Sequence, residues 1–150
     1  MEYSQSGLHL TEQFEGCRLT AYQDQGGRWT IGYGHANGVT PGMVCTLDQA
    51  EAWLSQDIAW AVATVNQHVH VEISQGIFDS LVDFTFNLGS SSFEHSTLLQ
   101  LVNNDDLTDA INQFERWDKV GGVEVAGLLR RRQAEQQEFN GKKPSGIPTF

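Results

Sequence analysis

The stretch FEGCRLTAYQDQGGRWTIGYGHANG, Phe14 to Gly38, changes its periodicity partway along. Before it, Leu10 and Phe14 lie four apart, so Leu8–Phe14 reads as a short helix, stopped by Gly16 after Glu15. From Arg18 the period is two. Leu19–Tyr22 and Trp29–His35 read as strands, with Gln25-Gly26-Gly27 as the turn between them. Strand parity then sets Thr30, Gly32 and Gly34 on one face and Trp29, Ile31 and Tyr33 on the other. The first face is expected to form an open groove floor, the second to pack.

Outward from this hairpin the chain turns at Thr40-Pro41-Gly42 and becomes helical. Thr46-Leu47-Asp48-Gln49 is a capping box, and Leu47, Ala50, Trp53, Leu54, Ala61, Val62 and Val65 keep helical spacing for about five turns. Ser74 opens a helix whose apolar residues, Ile77 to Leu88, cover too much circumference for a surface helix, so it forms the core, ended by Gly89. Shorter helices are predicted at Ser96–Val102, Leu107–Trp117 and Gly127–Phe139. Gly141–Phe150, with two Pro and two Gly, reads as a flexible tail. The fold class is α+β, a small sheet near the N-terminus and a larger helical part.

With 150 residues, 39% hydrophobic and 19% charged, the chain is one globular domain of ordinary size. Its net charge of −10 disfavours generic binding to nucleic acid or anionic membrane. The charge is uneven: residues 1–115 hold 15 acids and 2 bases, residues 116–150 hold 4 acids and 7 bases. No apolar run is long enough to span a bilayer. Cys17 and Cys45 read as two free, semi-buried thiols, and His68 and His70 as a polar helix end. No cofactor or metal site is expected, because no His/Cys cluster has ligand spacing.

Two carboxyls in the hairpin region face contrasting environments. Glu15 ends a helix, where the dipole favours the neutral, proton-bearing form, although Arg18 acts the other way. Asp24, nine positions on, lies in a polar turn and should stay ionised. One neutral and one charged carboxyl are the minimum apparatus for cleaving a glycosidic bond.

The whole string resembles the phage-type lysozymes, the endolysins of glycoside hydrolase family 24. Their pattern is a Glu at the end of the first helix, an Asp in the following hairpin, and a Thr opening TIGYGH. Here these are Glu15, Asp24 and Thr30-Ile31-Gly32-Tyr33-Gly34-His35. The resemblance continues through Thr46–Asp57, Leu81–Gly89, Phe93–Leu99 and Trp117–Arg132. It implies a muramidase that hydrolyses the β-1,4 bond between N-acetylmuramic acid and N-acetylglucosamine in peptidoglycan and lyses the host cell. It implies a single lysozyme-like catalytic domain over residues 1–140, two lobes around a cleft, joined by the long helix from Thr46. Glu15 would be the acid, Asp24 the base or water orienter, and Thr30 the water positioner, with inversion at the anomeric centre. Phe86, Asn87 and Ser96 match substrate-lining positions, although Phe86 also reads as core, Asn87 as a helix C-cap and Ser96 as the N-cap of its own helix. His35 is expected to pair with Asp57 rather than act in catalysis. At most one or two of Arg130, Arg131 and Arg132 should face the cleft, leaving the rest a solvated face.

The expected partner is the peptidoglycan glycan strand, met by a monomer, with no nucleic acid and no membrane insertion. Some members of the family this chain resembles carry an N-terminal signal-anchor segment. Met1–Gly7 has neither a basic region nor an apolar stretch, so the expectation is either a holin-type pore as the route from host cytoplasm to wall or a segment that has been trimmed away. The acidic balance argues against unaided lysis from outside. A secreted effector muramidase shares the chemistry. A catalytically inactive wall-binding module would not need Glu15, Asp24 and Thr30 together. A lytic transglycosylase must exclude the water that Asp24 and Thr30 would hold.

Overall fold

The computed structural model describes residues 1–142. The order is α1 (Gln5–Glu15), β1 (Arg18–Gln23), β2 (Trp29–Gly32), α2 (Leu47–Asp57), α3 (Ala59–His68), α4 (Gln75–Leu88), α5 (Ser90–Glu94), α6 (Thr97–Asn103) and α7 (Leu107–Ala110). A 3₁₀ segment (Ile111–Trp117), β3 (Lys119–Val120), β4 (Val123–Glu124) and α8 (Ala126–Phe139) follow. The α+β fold class is as expected. Two compact units divide the chain: Thr11–Trp60, and Met1–Leu10 with the described residues from Ala61 onward.

In the Thr11–Trp60 unit, β1 and β2 are antiparallel, with Tyr22 opposite Thr30, Gln23 opposite Trp29, and a bulge between Arg18 and Tyr22. The Met43–Cys45 segment lies along β1, where Ala21 N–H donates to Met43 and Cys45 N–H to Leu19. Ile31, Cys45 and Ala50 form the buried centre, with Tyr33, Met43 and Trp53 packed around it. The second strand stops three residues earlier than its alternation predicts. At Gly32 the chain turns back, and Ile31 and His35 exchange backbone hydrogen bonds of 2.8 and 2.9 Å. Gly32 (φ 65°) and Gly34 (φ 79°) supply left-handed geometry for this turn, so the parity extended past Gly32 does not hold. Gly32 is also packed rather than open, since a Cβ there would lie 3.0 Å from that of Ala50.

The capping box forms as read, Gln49 N–H donating to Thr46 Oγ1 and Thr46 N–H to Gln49 Oε1. The five-turn helix behind it is two helices. The regular run lapses at Ile58, a buried β-branched residue whose ψ relaxes to −7° while its N–H still reaches Leu54.

In the other unit α4 buries every residue from Ile77 to Thr85, as its apolar circumference requires. Ser74 caps it through Ile77 N–H, and Gly89 (φ 95°) ends it. Phe84 is the hub, with Phe93, Phe114 and Trp117 edge-on at 6.4, 5.8 and 5.5 Å. Leu107–Trp117 is an α turn followed by a 3₁₀ segment rather than one helix, and the β3–β4 hairpin and α5 went unread. Gly121-Gly122, both at positive φ between Val120 and Val123, was the available hairpin signal. The first helix starts three residues before its predicted bound. Ser4 caps it: Gly7 N–H donates to Ser4 Oγ and Leu8 N–H to Ser4 O. Gly141 (φ 78°) and Lys142 cap α8 by donating to Glu138 and Gln137. The remainder of the predicted tail, residues 143–150, lies outside the described residues.

Candidate active site

Glu15 is the last residue of α1, and Gly16 (φ 68°) turns the chain directly into β1. The acid is thereby fixed at a helix end, half-buried. The Gly32–Gly34 turn comes back to it: a Cβ on Gly34 would stand 3.8 Å from Glu15 Oε2. Glycine at this position keeps the approach to the carboxyl open.

Asp24 sits in the β1–β2 turn and is exposed. Its Oδ1 accepts from the backbone N–H groups of Gly26 and Arg28, both at 2.9 Å, an Asx-type closure that builds the turn. Thr30 lies on β2 with 5% of its surface exposed. Its hydroxyl donates to Arg28 O at 3.0 Å, the same carbonyl that accepts from Asp24 N–H at 2.9 Å. The Arg28 peptide therefore ties Asp24 and Thr30 together. With its proton committed to Arg28, the Thr30 oxygen is left as an acceptor. A carboxylate and a hydroxyl oxygen that both accept can take the two hydrogens of one water.

His35 is buried and stands apart from this chemistry. Its Nδ1 lies 2.8 Å from Asp57 Oδ2 and its ring stacks on Trp53 at 4.6 Å and 5°. The expected pair is present, and it ties the hairpin to α2.

The remaining candidates lie on the helical unit. Phe86 and Asn87 are half-buried near the end of α4. Gly89, not Asn87, caps that helix, and Asn87 Oδ1 accepts from Arg132 Nη2 at 2.9 Å. Ser96 takes the N-cap alternative: its hydroxyl donates to Phe93 O at 2.7 Å and accepts from Leu99 N–H at 3.0 Å, with 2% of the residue exposed. Arg130 is exposed, but Arg131 and Arg132 are buried, which corrects the expectation of a solvated face. Arg131 makes a two-pronged bond to Asp83, Nε to Oδ2 at 2.9 Å and Nη2 to Oδ1 at 2.8 Å. Arg132 pairs with Glu135 at 2.6 Å. The acids on α4 and α8 that neutralise them are what a sequence count of charges does not reveal.

Cys17 is exposed and Cys45 buried, both as free thiols. His68 ends α3, its Nδ1 donating to Thr64 O at 2.9 Å, in keeping with a polar helix end. No group of three His, Cys, Asp or Glu among the described residues is arranged to hold a metal ion. No helix among them is long and apolar enough to cross a membrane.

Known proteins are similar to this chain in sequence and fold. The endolysin of Acyrthosiphon pisum secondary endosymbiont phage 1 is 42% identical over 143 residues, 93% of this chain and 98% of that protein. Among solved structures, the endolysin from Escherichia coli O157:H7 phage FAHEc1 superposes with a TM-score of 0.89 at 34% identity, covering 97% of this chain and 98% of that one. The muramidase domain of SpmX from Asticaccaulis excentricus gives 0.84 at 37% identity, over 92% and 97%. The sequence profile described as Phage lysozyme matches residues 12–135, and with Glu15, Asp24 and Thr30 inside that span the chain belongs to the phage lysozyme family.

Proposed function

We propose that this chain is an endolysin, a muramidase that hydrolyses the β-1,4 bond between N-acetylmuramic acid and N-acetylglucosamine, with Glu15 as general acid. The observation that carries the assignment is the Arg28 peptide, which gathers Asp24 and Thr30 as two hydrogen-bond acceptors. Glu15 donates its proton to the leaving glycosidic oxygen as the bond breaks. Asp24 and Thr30 hold a water by its hydrogens, leaving the oxygen lone pair free to attack the anomeric carbon. Asp24 takes the proton that the water loses. Attack on the face opposite the leaving group inverts the centre. Phe86 and Asn87 supply substrate contacts from α4.

In this reading the enzyme acts as a monomer on glycan strands. It is held in the host cytoplasm until a holin-type pore admits it to the wall, so lysis of an expressing host should require a co-expressed holin.

Digestion of purified sacculi followed by mass spectrometry of the muropeptides tests the reaction. Products ending in reducing muramic acid are expected. Anhydro-muramic ends would replace hydrolysis by transglycosylation, and reducing glucosamine ends would move the cleaved bond. Proton NMR of the fresh digest reads the stereochemistry, with the α anomer appearing first for inversion.

A further inference from the structure

Arg132 and Glu135 lie three apart on α8, both with fully buried side chains. One guanidinium nitrogen carries every bond that Arg132 makes. Nη2 donates to Glu135 Oε1 at 2.6 Å and to Asn87 Oδ1 at 2.9 Å, while Nε, Nη1 and Glu135 Oε2 have no hydrogen-bond partner. The Phe84 ring lies under the guanidinium, its centroid 5.4 Å from Cζ. A buried ion pair with groups left unsatisfied is a poor source of stability compared with apolar packing of the same volume. What the arrangement does achieve is directional. A guanidinium can only donate, so it must take the carbonyl oxygen of the Asn87 amide. The amide nitrogen, with both N–H groups, is thereby turned to the other side. An amide that would otherwise flip between donor and acceptor is fixed as a donor.

We propose that Arg132, braced by Glu135 and Phe84, is a positioning residue that presents Asn87 as a hydrogen-bond donor to an acetamido carbonyl of the glycan. The proposal rests on the reading of Asn87 as a substrate contact. The acetamido carbonyl is the strongest neutral acceptor that an N-acetylated sugar offers, and it matches an amide N–H donor in geometry and charge. Glu135 holds the guanidinium and Arg132 holds the amide, while only Asn87 touches sugar.

Kinetics on soluble, uncrosslinked glycan strands test this. Asn87→Asp keeps an acceptor for Arg132 but deletes the donor, so KM should rise about five- to tenfold with no loss of melting temperature. Arg132→Met combined with Glu135→Leu removes both charges at once and orphans neither. It should raise KM by a similar factor, and adding Asn87→Asp to it should raise KM no further. N-deacetylated strands should raise the wild-type KM by the same factor and leave that of Asn87→Asp nearly unmoved. If the double variant does not fold, Arg132→Lys, which keeps the charge but not the fixed fork, gives the same readout. Multiplicative KM increases in the triple variant, or a wild-type KM for Asn87→Asp, overturn the proposal. Products still ending in reducing muramic acid would show that the reaction assignment survives that failure.

Discussion

Asp24 and Asp83 are the same side chain held by different donors. Asp24 is exposed and takes two backbone N–H groups on one oxygen, neither of them charged. Asp83 is fully buried and takes the Arg131 guanidinium on both oxygens. Peptide donors orient a carboxylate and leave its charge and its second oxygen available. A guanidinium neutralises it and occupies both. The first setting suits chemistry and the second suits structure.

Removing the acid itself tests one side of the contrast hardest. Glu15→Gln should cost about 10²–10⁴-fold in hydrolysis while the melting temperature stays within the scatter of replicates, because volume and fold are kept. More than a tenth of the wild-type rate on purified sacculi would remove Glu15 from the mechanism.

One substitution made twice sharpens the comparison. Asp24→Asn keeps an oxygen for the Gly26 and Arg28 N–H groups and should cost about a hundredfold in rate with little change in stability. Asp83→Asn removes the charge that meets the buried Arg131 guanidinium on both oxygens and should cost roughly 3–5 kcal/mol of stability. Urea unfolding and initial rates on both variants suffice. A destabilised Asp24→Asn, or an Asp83→Asn as stable as wild type, would erase the distinction.

Next in size is a pH effect. Ser6 Oγ donates to Glu138, and Ser4, through N–H and hydroxyl, donates to Asp79, which also accepts from Gln75. Burial, with Asp79 and Asp83 adding and the Ser6 bond opposing, pushes the Glu138 carboxyl from its ordinary 4.5 up to about 7. Burial raises Asp79 in the same direction. A raised folded value means that the stabilising contribution is complete below about pH 4.5 and is lost as pH rises through 7. Wild type should lose up to about 3 kcal/mol between pH 5 and 8 relative to Glu138→Gln, which cannot ionise. Parallel stability curves for the two proteins would show that Glu138 does not titrate in this range.

The smallest effect belongs to Thr30. Thr30→Val is nearly isosteric and suits a strand, but it deletes both the bond to Arg28 O and the acceptor for water. About a tenfold drop in turnover with a level melting temperature is expected. Full activity would leave a site of two carboxyls alone.

What the sequence made legible was local. The capping box at Thr46, the cap at Ser74, the end of α4 at Gly89 and the pairing of hairpin strands follow from residues within a few positions of one another. Glu15, Asp24 and Thr30 could be singled out as candidates because one hairpin and one helix end carry all three, and it is the resemblance of the whole string to the phage lysozymes that proposes their roles. The early end of β2 was not legible, because glycines at alternate positions satisfy strand parity and a left-handed turn equally well. Arg131 read as solvated because its partner, Asp83, lies 48 residues away on another helix. Arg132 has Glu135 three residues along, but its contact with Asn87, 45 residues away, was equally out of reach. Ser4 and Ser6 gave no sign of meeting Asp79 and Glu138, for no periodicity spans 132 residues.

That last span bears on the order in which the molecule can be completed. The Thr11–Trp60 unit is one continuous piece, whereas its companion is made from Met1–Leu10 and the chain beyond Ala61. On the ribosome the hairpin, with Glu15, Asp24 and Thr30, has every residue it needs once α2 has emerged. Ser6 must wait for Glu138, and Met1, whose amino group donates to Asn66 Oδ1 at 2.7 Å, waits for α3. The helix bearing Glu15 is thus begun first and fastened last.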